Sequence, residues 1–286
     1  MKRVSFKAEM FPALAALFDF FNLVGEYQRA FSILETINTL SDGKIDLWDN
    51  LQHWGYGCIL LSLGKFEESA YHSQKMVAFY DISEHGELRQ IFGSDPGVSS
   101  LLNYAWALYP LGYPQQALIR CQQAMDLGNQ LKDLDNQLLA QVFSAYLFMM
   151  MREQERAYEL AQSCKRLLDG RSFPLFSALM KFIEGVNQSY MGDEQIGLPN
   201  ISLGIDNLQS LGIRSYLSIH LAIQSEVLLI HGQIDKAFER LQKAENFISE
   251  TGEGMYPAEV QRLKGEYFRL KGMVDDAEGC FLHAQG

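Results

Sequence analysis

A six-residue pattern recurs seven times along the chain and constrains its fold more than any other feature. Each copy begins at a turn residue, usually Gly, that follows an apolar helical stretch, and ends on a small residue that opens a new helical face. The copies read Gly25-Glu-Tyr-Gln-Arg-Ala30, Gly64-Lys-Phe-Glu-Glu-Ser69, Gly112-Tyr-Pro-Gln-Gln-Ala117 and Arg152-Glu-Gln-Glu-Arg-Ala157. They continue as Gly192-Asp-Glu-Gln-Ile-Gly197, Gly232-Gln-Ile-Asp-Lys-Ala237 and Gly272-Met-Val-Asp-Asp-Ala277. The closing small residues lie at 30, 69, 117, 157, 197, 237 and 277, so the last four intervals are 40 residues each. Gly can close a helix in the left-handed conformation without a Cβ clash. The small residue lets two antiparallel helices approach, and a larger one a turn later (Leu34, Cys121, Ile201, Leu241, Phe281) fills the groove.

Helical periodicity surrounds these turns. Val227 to Ile230 precede Gly232, and Ala237, Leu241 and Ala244 follow it at spacings of three and four. With no sustained period-two alternation and only seven prolines, the chain is expected to be all-α. A lone helix pair cannot bury its apolar face, so neighbouring pairs stack. The expected architecture is a right-handed α-solenoid of about seven tetratricopeptide-like units forming one repeat domain over 1–286. The standard period of such repeats is about 34 residues, so each helix here gains nearly a turn. The longer interval between the second and third copies holds an insertion at 80–96, where Gly86, Gly93 and Pro96 predict a loop with a short helix over Leu88–Phe92. The sequence ends about two turns into the last second helix, which predicts a fragment of a longer multidomain chain.

Composition narrows the function. A net charge of −11, with no basic run longer than a dipeptide, argues against nucleic acid as a partner. No stretch approaches the ~20 apolar residues of a membrane span. Lys2 and Arg3 precede an apolar run from Met10 to Phe18, but Lys7, Glu9 and Asp19 interrupt or bound it, and Ala13-Leu14-Ala15 lies inside it, unlike a secretory leader. The widely spaced Cys58, Cys121, Cys164 and Cys280 suit free thiols in a reducing, cytoplasmic compartment, where the glycosylation triplets at Asn187 and Asn200 carry no meaning.

Five segments resemble a particular solenoid more closely. They are Phe92-Gly-Ser-Asp-Pro-Gly-Val, Tyr104-Ala-Trp-Ala-Leu, Leu111-Gly-Tyr-Pro-Gln-Gln-Ala-Leu, Ala258-Glu-Val-Gln-Arg-Leu-Lys-Gly-Glu and Asp276-Ala-Glu-Gly-Cys-Phe. The series, from about Phe11 onward, resembles the C-terminal solenoid of bacterial proteins that join a class III adenylate/guanylate cyclase domain to a STAND-type ATPase module. The same solenoid occurs behind winged-helix transcription regulators. The resemblance implies a regulatory module that senses a ligand or partner. The cyclase and ATPase domains themselves have no counterpart here, and Gly64-Lys65-Phe66 lacks the rest of a phosphate-binding loop.

The chain carries no enzyme signature. Its six histidines form no His-Glu-x-x-His and no close pairing with Cys, there is no Gly-x-Ser-x-Gly elbow, and no metal or cofactor is expected. His231, beside the Gly232 turn, reads as a helix C-terminal residue, and Asp19, between Phe18 and Phe20, as the solvent-facing position of an amphipathic helix. Met149-Met150-Met151 reads as core filler. Aligning the repeats by their turns places Trp54, Trp106, Tyr109, Phe143, Tyr146, Phe182 and Tyr190 at first-helix positions that could line a concave binding face, with Asn103, Glu226, Arg262 and Glu266 adding polar groups. The indole N–H groups of Trp54 and Trp106 favour partial exposure. Each aromatic taken singly reads more readily as helix packing. Such a face suits a protein or peptide segment or a small effector. The alternative is a structural scaffold that braces its own chain or self-associates.

Overall fold

The computed structural model describes residues 10–41, 46–86, 88 and 94–285. Among them are fifteen helices and no strand. Seven antiparallel pairs account for all but one helix. They are α1 (Phe11–Leu23) with α2 (Tyr27–Ser41), and α3 (Asp46–Ser62) with α4 (Phe66–Phe79). After the short α5 (Ile82–His85) come α6 (Pro96–Leu108) with α7 (Pro114–Leu131), and α8 (Leu134–Met150) with α9 (Gln154–Leu168). The last three pairs are α10 (Pro174–Tyr190) with α11 (Glu194–Ser210), α12 (Leu217–Ile230) with α13 (Ile234–Thr251), and α14 (Pro257–Leu270) with α15 (Val274–His283). The chain divides into two compact units, 1–143 and 144–286, and the division falls inside α8 rather than in a linker.

The seven expected turns share one backbone solution. Their turn residues are left-handed, with φ from +71° to +91° at the six glycines and +66° at Arg152. The next residue donates its N–H to the carbonyl five positions back: Glu26 to Phe21, Lys65 to Leu60, Tyr113 to Leu108, Glu153 to Phe148, Asp193 to Gln188, Gln233 to Leu228 and Met273 to Phe268, all at 2.8–2.9 Å. This is the capping bond that satisfies a carbonyl orphaned at the helix end. The small residues closing the seven patterns, Ala30, Ser69, Ala117, Ala157, Gly197, Ala237 and Ala277, are all buried.

Backbones come closest between α10 and α11. A Cβ added at Gly185 would lie 2.5 Å from the Ile201 nitrogen and 2.7 Å from the Gly197 oxygen. One added at Gly204 would lie 2.8 Å from the Phe182 nitrogen. Three glycines on facing surfaces let these helices pack backbone against backbone.

The expected helix over Leu88–Phe92 lies largely outside the described residues. The end of the insertion is anchored in the core by Asp95. This residue is fully buried and caps α6, its carboxylate accepting from the N–H groups of Gly97 and Val98 at 2.9 and 3.0 Å. The Tyr80 hydroxyl donates to the same carboxylate at 2.7 Å, and burial together with that acidic partner raises the Tyr80 pKa. The Asp95 N–H donates to Asn136 Oδ1 at 2.8 Å, tying the insertion to α8. Pro96 comes next at the first helical position, where its missing N–H is harmless.

Asp19 departs from expectation. It is not solvent-facing but half-buried on α1, and desolvation raises its pKa to about 7. Cys58 of α3 is close enough to feel its charge, and burial pushes that thiol up to about 12. Asn22, one turn along α1, donates to the Cys58 sulfur at 3.3 Å and accepts from the Ser62 hydroxyl at 3.3 Å. The packing of α1 against α3, where the adjacent Phe18 meets Trp54, takes Asp19 out of water as well.

Candidate functional site

The fold sorts the eleven candidate residues into two groups. Four aromatics are core. Trp54 is 6 % exposed and packs edge-on against Phe18 at 5.5 Å. Trp106 is 3 % exposed, and its indole N–H donates to the Phe143 carbonyl at 3.0 Å. Tyr146 and Phe182 are buried and stack with ring centroids 5.8 Å apart. The expectation of partly exposed tryptophans is therefore corrected. A backbone carbonyl from the neighbouring first helix meets the need of the Trp106 N–H as well as water would. Asn103, Tyr109 and Phe143 in the first unit, and Tyr190, Glu226, Arg262 and Glu266 in the second, keep partial exposure.

Tyr146 and Phe182 enclose His220 of α12. The Tyr146 hydroxyl and His220 Nε2 are 2.9 Å apart, and the Phe182 ring meets the imidazole edge-on at 4.9 Å. Burial lowers the His220 pKa to about 4. Because this folded value lies below the unfolded one of about 6.5, the unfolded chain binds the extra proton between those limits. Stability should therefore be full above pH 6.5 and fall as pH drops toward 4, by about 1.4 kcal/mol per pH unit where one proton separates the states. Denaturant titrations across that range check this, and His220→Gln should lose that part of the slope.

In the second unit the first helices bring together charges that the linear sequence scatters. Arg152, in the α8–α9 turn, reaches Glu226 of α12 in a close ion pair and Glu259 of α14 at 3.3 Å. Arg262 of α14 holds Glu259 with Nε and Nη2, both at 2.7 Å, and lies 3.7 Å from Glu226. The paired Glu259 raises the Arg262 pKa further. Tyr190 ends α10 beside this group; burial raises its pKa and the neighbouring Arg152 partly offsets the rise. The carboxylates are the less exposed partners, at 17 % for Glu226 and 22 % for Glu259, whereas Arg152 is 47 % exposed. Glu266 lies outside the hub and pairs with Arg269 at 2.7 Å.

Tyr190, Glu226 and Arg262, three of the sequence candidates, meet in this group, whereas Arg152 and Glu259 were not among the candidates. A signal for Arg152 was present: it is the one non-glycine among the seven turn residues. Left-handed backbone costs a residue with a Cβ roughly 1–2 kcal/mol. A side chain kept there despite that strain points to a role for the side chain.

Other features lead elsewhere. Among the described residues no group of three or more His, Cys, Asp or Glu side chains could hold a metal ion. His53 of α3 and His72 of α4 meet with their Nδ1 atoms 2.7 Å apart, so one ring donates and the other accepts. Burial lowers both pKa values, and the described residues offer no third ligand. His231 Nε2 donates to the Ser189 carbonyl at 2.9 Å, linking the end of α12 to α10. No helix among the described residues is long and apolar enough to cross a membrane, and none of the four cysteines forms a disulfide.

Among solved structures, the chain is similar to the apo form of RapI, with a TM-score of 0.60 and 10 % identity over 94 % of this chain and 97 % of that one. It is similar to a Rap protein complexed with competence and sporulation factor, with a TM-score of 0.59 and 12 % identity over 94 % of this chain and 70 % of that one. A tetratricopeptide repeat protein from Parabacteroides merdae ATCC 43184 aligns with a TM-score of 0.49 and 13 % identity over 97 % of this chain and 93 % of that one. At such identities the first two likenesses show the fold, an all-α array of tetratricopeptide-like helix pairs. No protein-family model matches the chain, and no curated protein matches it.

Proposed function

We propose that the chain is a non-catalytic binding module that holds an extended peptide or protein segment on the first-helix face of its second unit. The observation that carries this reading is Arg152. It stands in a strained left-handed turn where the other repeats use Gly, and it spends its guanidinium on carboxylates 74 and 107 residues away. With nearly half of its side chain exposed, Arg152 can exchange one carboxylate for an acidic or carbonyl group of a bound segment. Glu226, Glu259 and Arg262 keep the fork in place while it does so. The Rap protein solved with competence and sporulation factor gives a precedent for this fold holding a partner. The ordered motif series that resembles cyclase–ATPase solenoids supports a place in a bacterial cytoplasmic signalling chain, with a small effector as a further class of ligand.

Arg152→Gly separates binding from folding. It relieves about 1 kcal/mol of backbone strain and removes partly exposed ion pairs of similar size, so the unfolding midpoint should barely move. Segments selected from a random peptide display against the wild-type protein should bind this variant at least about tenfold more weakly, the loss of one charge-assisted hydrogen bond. Equal binding to both proteins would remove Arg152 from the site and this reading with it.

A second reading, a self-associating or bracing scaffold, draws on α15, where Val274 is 71 % and Leu282 63 % exposed. It requires a concentration-dependent dimer, which Arg152→Gly would leave intact.

A further inference from the structure

The second unit carries a cleft apart from its first-helix face. On the opposite side the second helices α11 and α13 part over α12 and leave a cleft of about 340 Å³. Its floor is apolar, made of Ile205, Leu217, Leu221 and Phe247, all buried. Gln224, 4 % exposed, lies in the floor and is held by a bond from its Nε2 to the Ser202 hydroxyl at 2.9 Å.

The rim has an unusual charge state for a chain of net charge −11. It carries Arg214, Arg240 and Lys243 against Asp206 and Glu250. Arg214 and Glu250 engage each other at 3.4 Å, with the Arg214 guanidinium 5.1 Å above the Phe247 ring. Arg240 and Lys243 sit one turn apart on α13, and among the described residues neither takes part in an ion pair. The Arg240 Nε is buried without a hydrogen-bond partner. A buried guanidinium N–H left unsatisfied is costly, and the group that best satisfies it is an anion able to take the guanidinium edge. The equivalent arginine three repeats earlier, Arg120, leaves its Nε buried and unpartnered in the same way, but its Nη1 donates to Gln123 at 2.7 Å. In the later repeat Lys243 stands where Gln123 stands in the earlier one, which replaces a neutral acceptor with a second cation.

We propose that this cleft is a second binding site, distinct from the first-helix face, for a small organic anion with an apolar body. The anionic group, a carboxylate or a phosphate monoester, lies against Arg240 and Lys243, and the apolar body rests on Leu221 and Phe247. A volume of this size suits a compact metabolite rather than a polypeptide.

The test uses hexyl phosphate, hexanoate, inorganic phosphate and hexylamine as probes, with binding followed by calorimetry and thermal shift on the whole chain. Hexyl phosphate or hexanoate should bind saturably, and hexylamine should not. Which of the two binds more tightly tells phosphate from carboxylate. Arg240→Gln should weaken binding at least about tenfold while leaving the far-ultraviolet dichroism unchanged. Arg152→Gly should leave it unaltered, so failure of this site and failure of the first-helix site are read separately. Inorganic phosphate binding as tightly as hexyl phosphate would overturn the apolar subsite. Equal binding by hexylamine, an unchanged Arg240→Gln variant, or no saturable binding by either alkyl anion would overturn the proposal.

Discussion

Gly185→Leu should unfold the second unit or destabilise it by about 4 kcal/mol or more, among the largest effects expected of a single substitution. Its new Cβ would sit 2.5 Å from the Ile201 nitrogen and 2.7 Å from the Gly197 oxygen, both backbone atoms that no rotamer change can move aside. The helices must then separate, and separation strips packing from Phe182, Ile183 and Ile201, all buried at their contact. Overpacking that side chains can absorb usually costs about 1–3 kcal/mol, and a rigid backbone contact exceeds that range. Gly112→Ala makes the comparison. That glycine is left-handed, with nothing within 4 Å of an added Cβ, so only the backbone penalty of roughly 1–2 kcal/mol remains. Denaturant unfolding followed by circular dichroism should rank the two variants in this order. Equal losses would mean that α10 and α11 are not in backbone contact.

Asp19→Asn should work in the opposite sense and stabilise the protein at neutral pH and above. The folded pKa of about 7 lies above the unfolded 3.8, so the native state holds a proton that the unfolded chain releases between those limits. Stability from this group is complete below pH 3.8, declines as pH rises, and is lost above 7. One pKa unit corresponds to 1.36 kcal/mol, which makes the ionised form at pH 8 about 2–4 kcal/mol less stable than a neutral isostere, discounted for partial exposure. The difference between wild type and Asp19→Asn should therefore vanish near pH 4 and reach its full size by pH 8. The His53–His72 pair in the same unit runs the other way, losing stability as pH falls below 6.5, but it is common to both proteins and cancels in the difference. A pH-independent difference would show that Asp19 is solvated.

The turns were legible in the sequence because their requirement is local. A left-handed helix end selects Gly within a few residues of chain, and seven copies on a near-constant interval leave little freedom. The small residue of the fifth repeat, Gly197, was readable for the same reason. Its partners Gly185 and Gly204 were not, since their meaning depends on which face of α10 meets which face of α11, and helical period alone does not fix that rotation. The aromatic candidates show the same limit. First-helix position alone did not separate Tyr190, which keeps partial exposure, from Trp106 and Phe182, which went to the core, because adjacent turns of one helix face inward and outward alike. The charge hub was the least legible part. Arg152 is 74 residues from Glu226 and 107 from Glu259, and only stacking of successive repeats brings them together. The lone arginine among six glycines was the single local trace of it.

Hydrogen-exchange protection on adding a display-selected peptide tests the location of binding most directly. Binding on the first-helix face of the second unit predicts slowed exchange around Tyr190, Glu226 and the 259–262 segment of α14, and none in the cleft between α11 and α13. Protection centred instead on 240–250 or on α15, with Tyr190 and Glu226 unchanged, would contradict it.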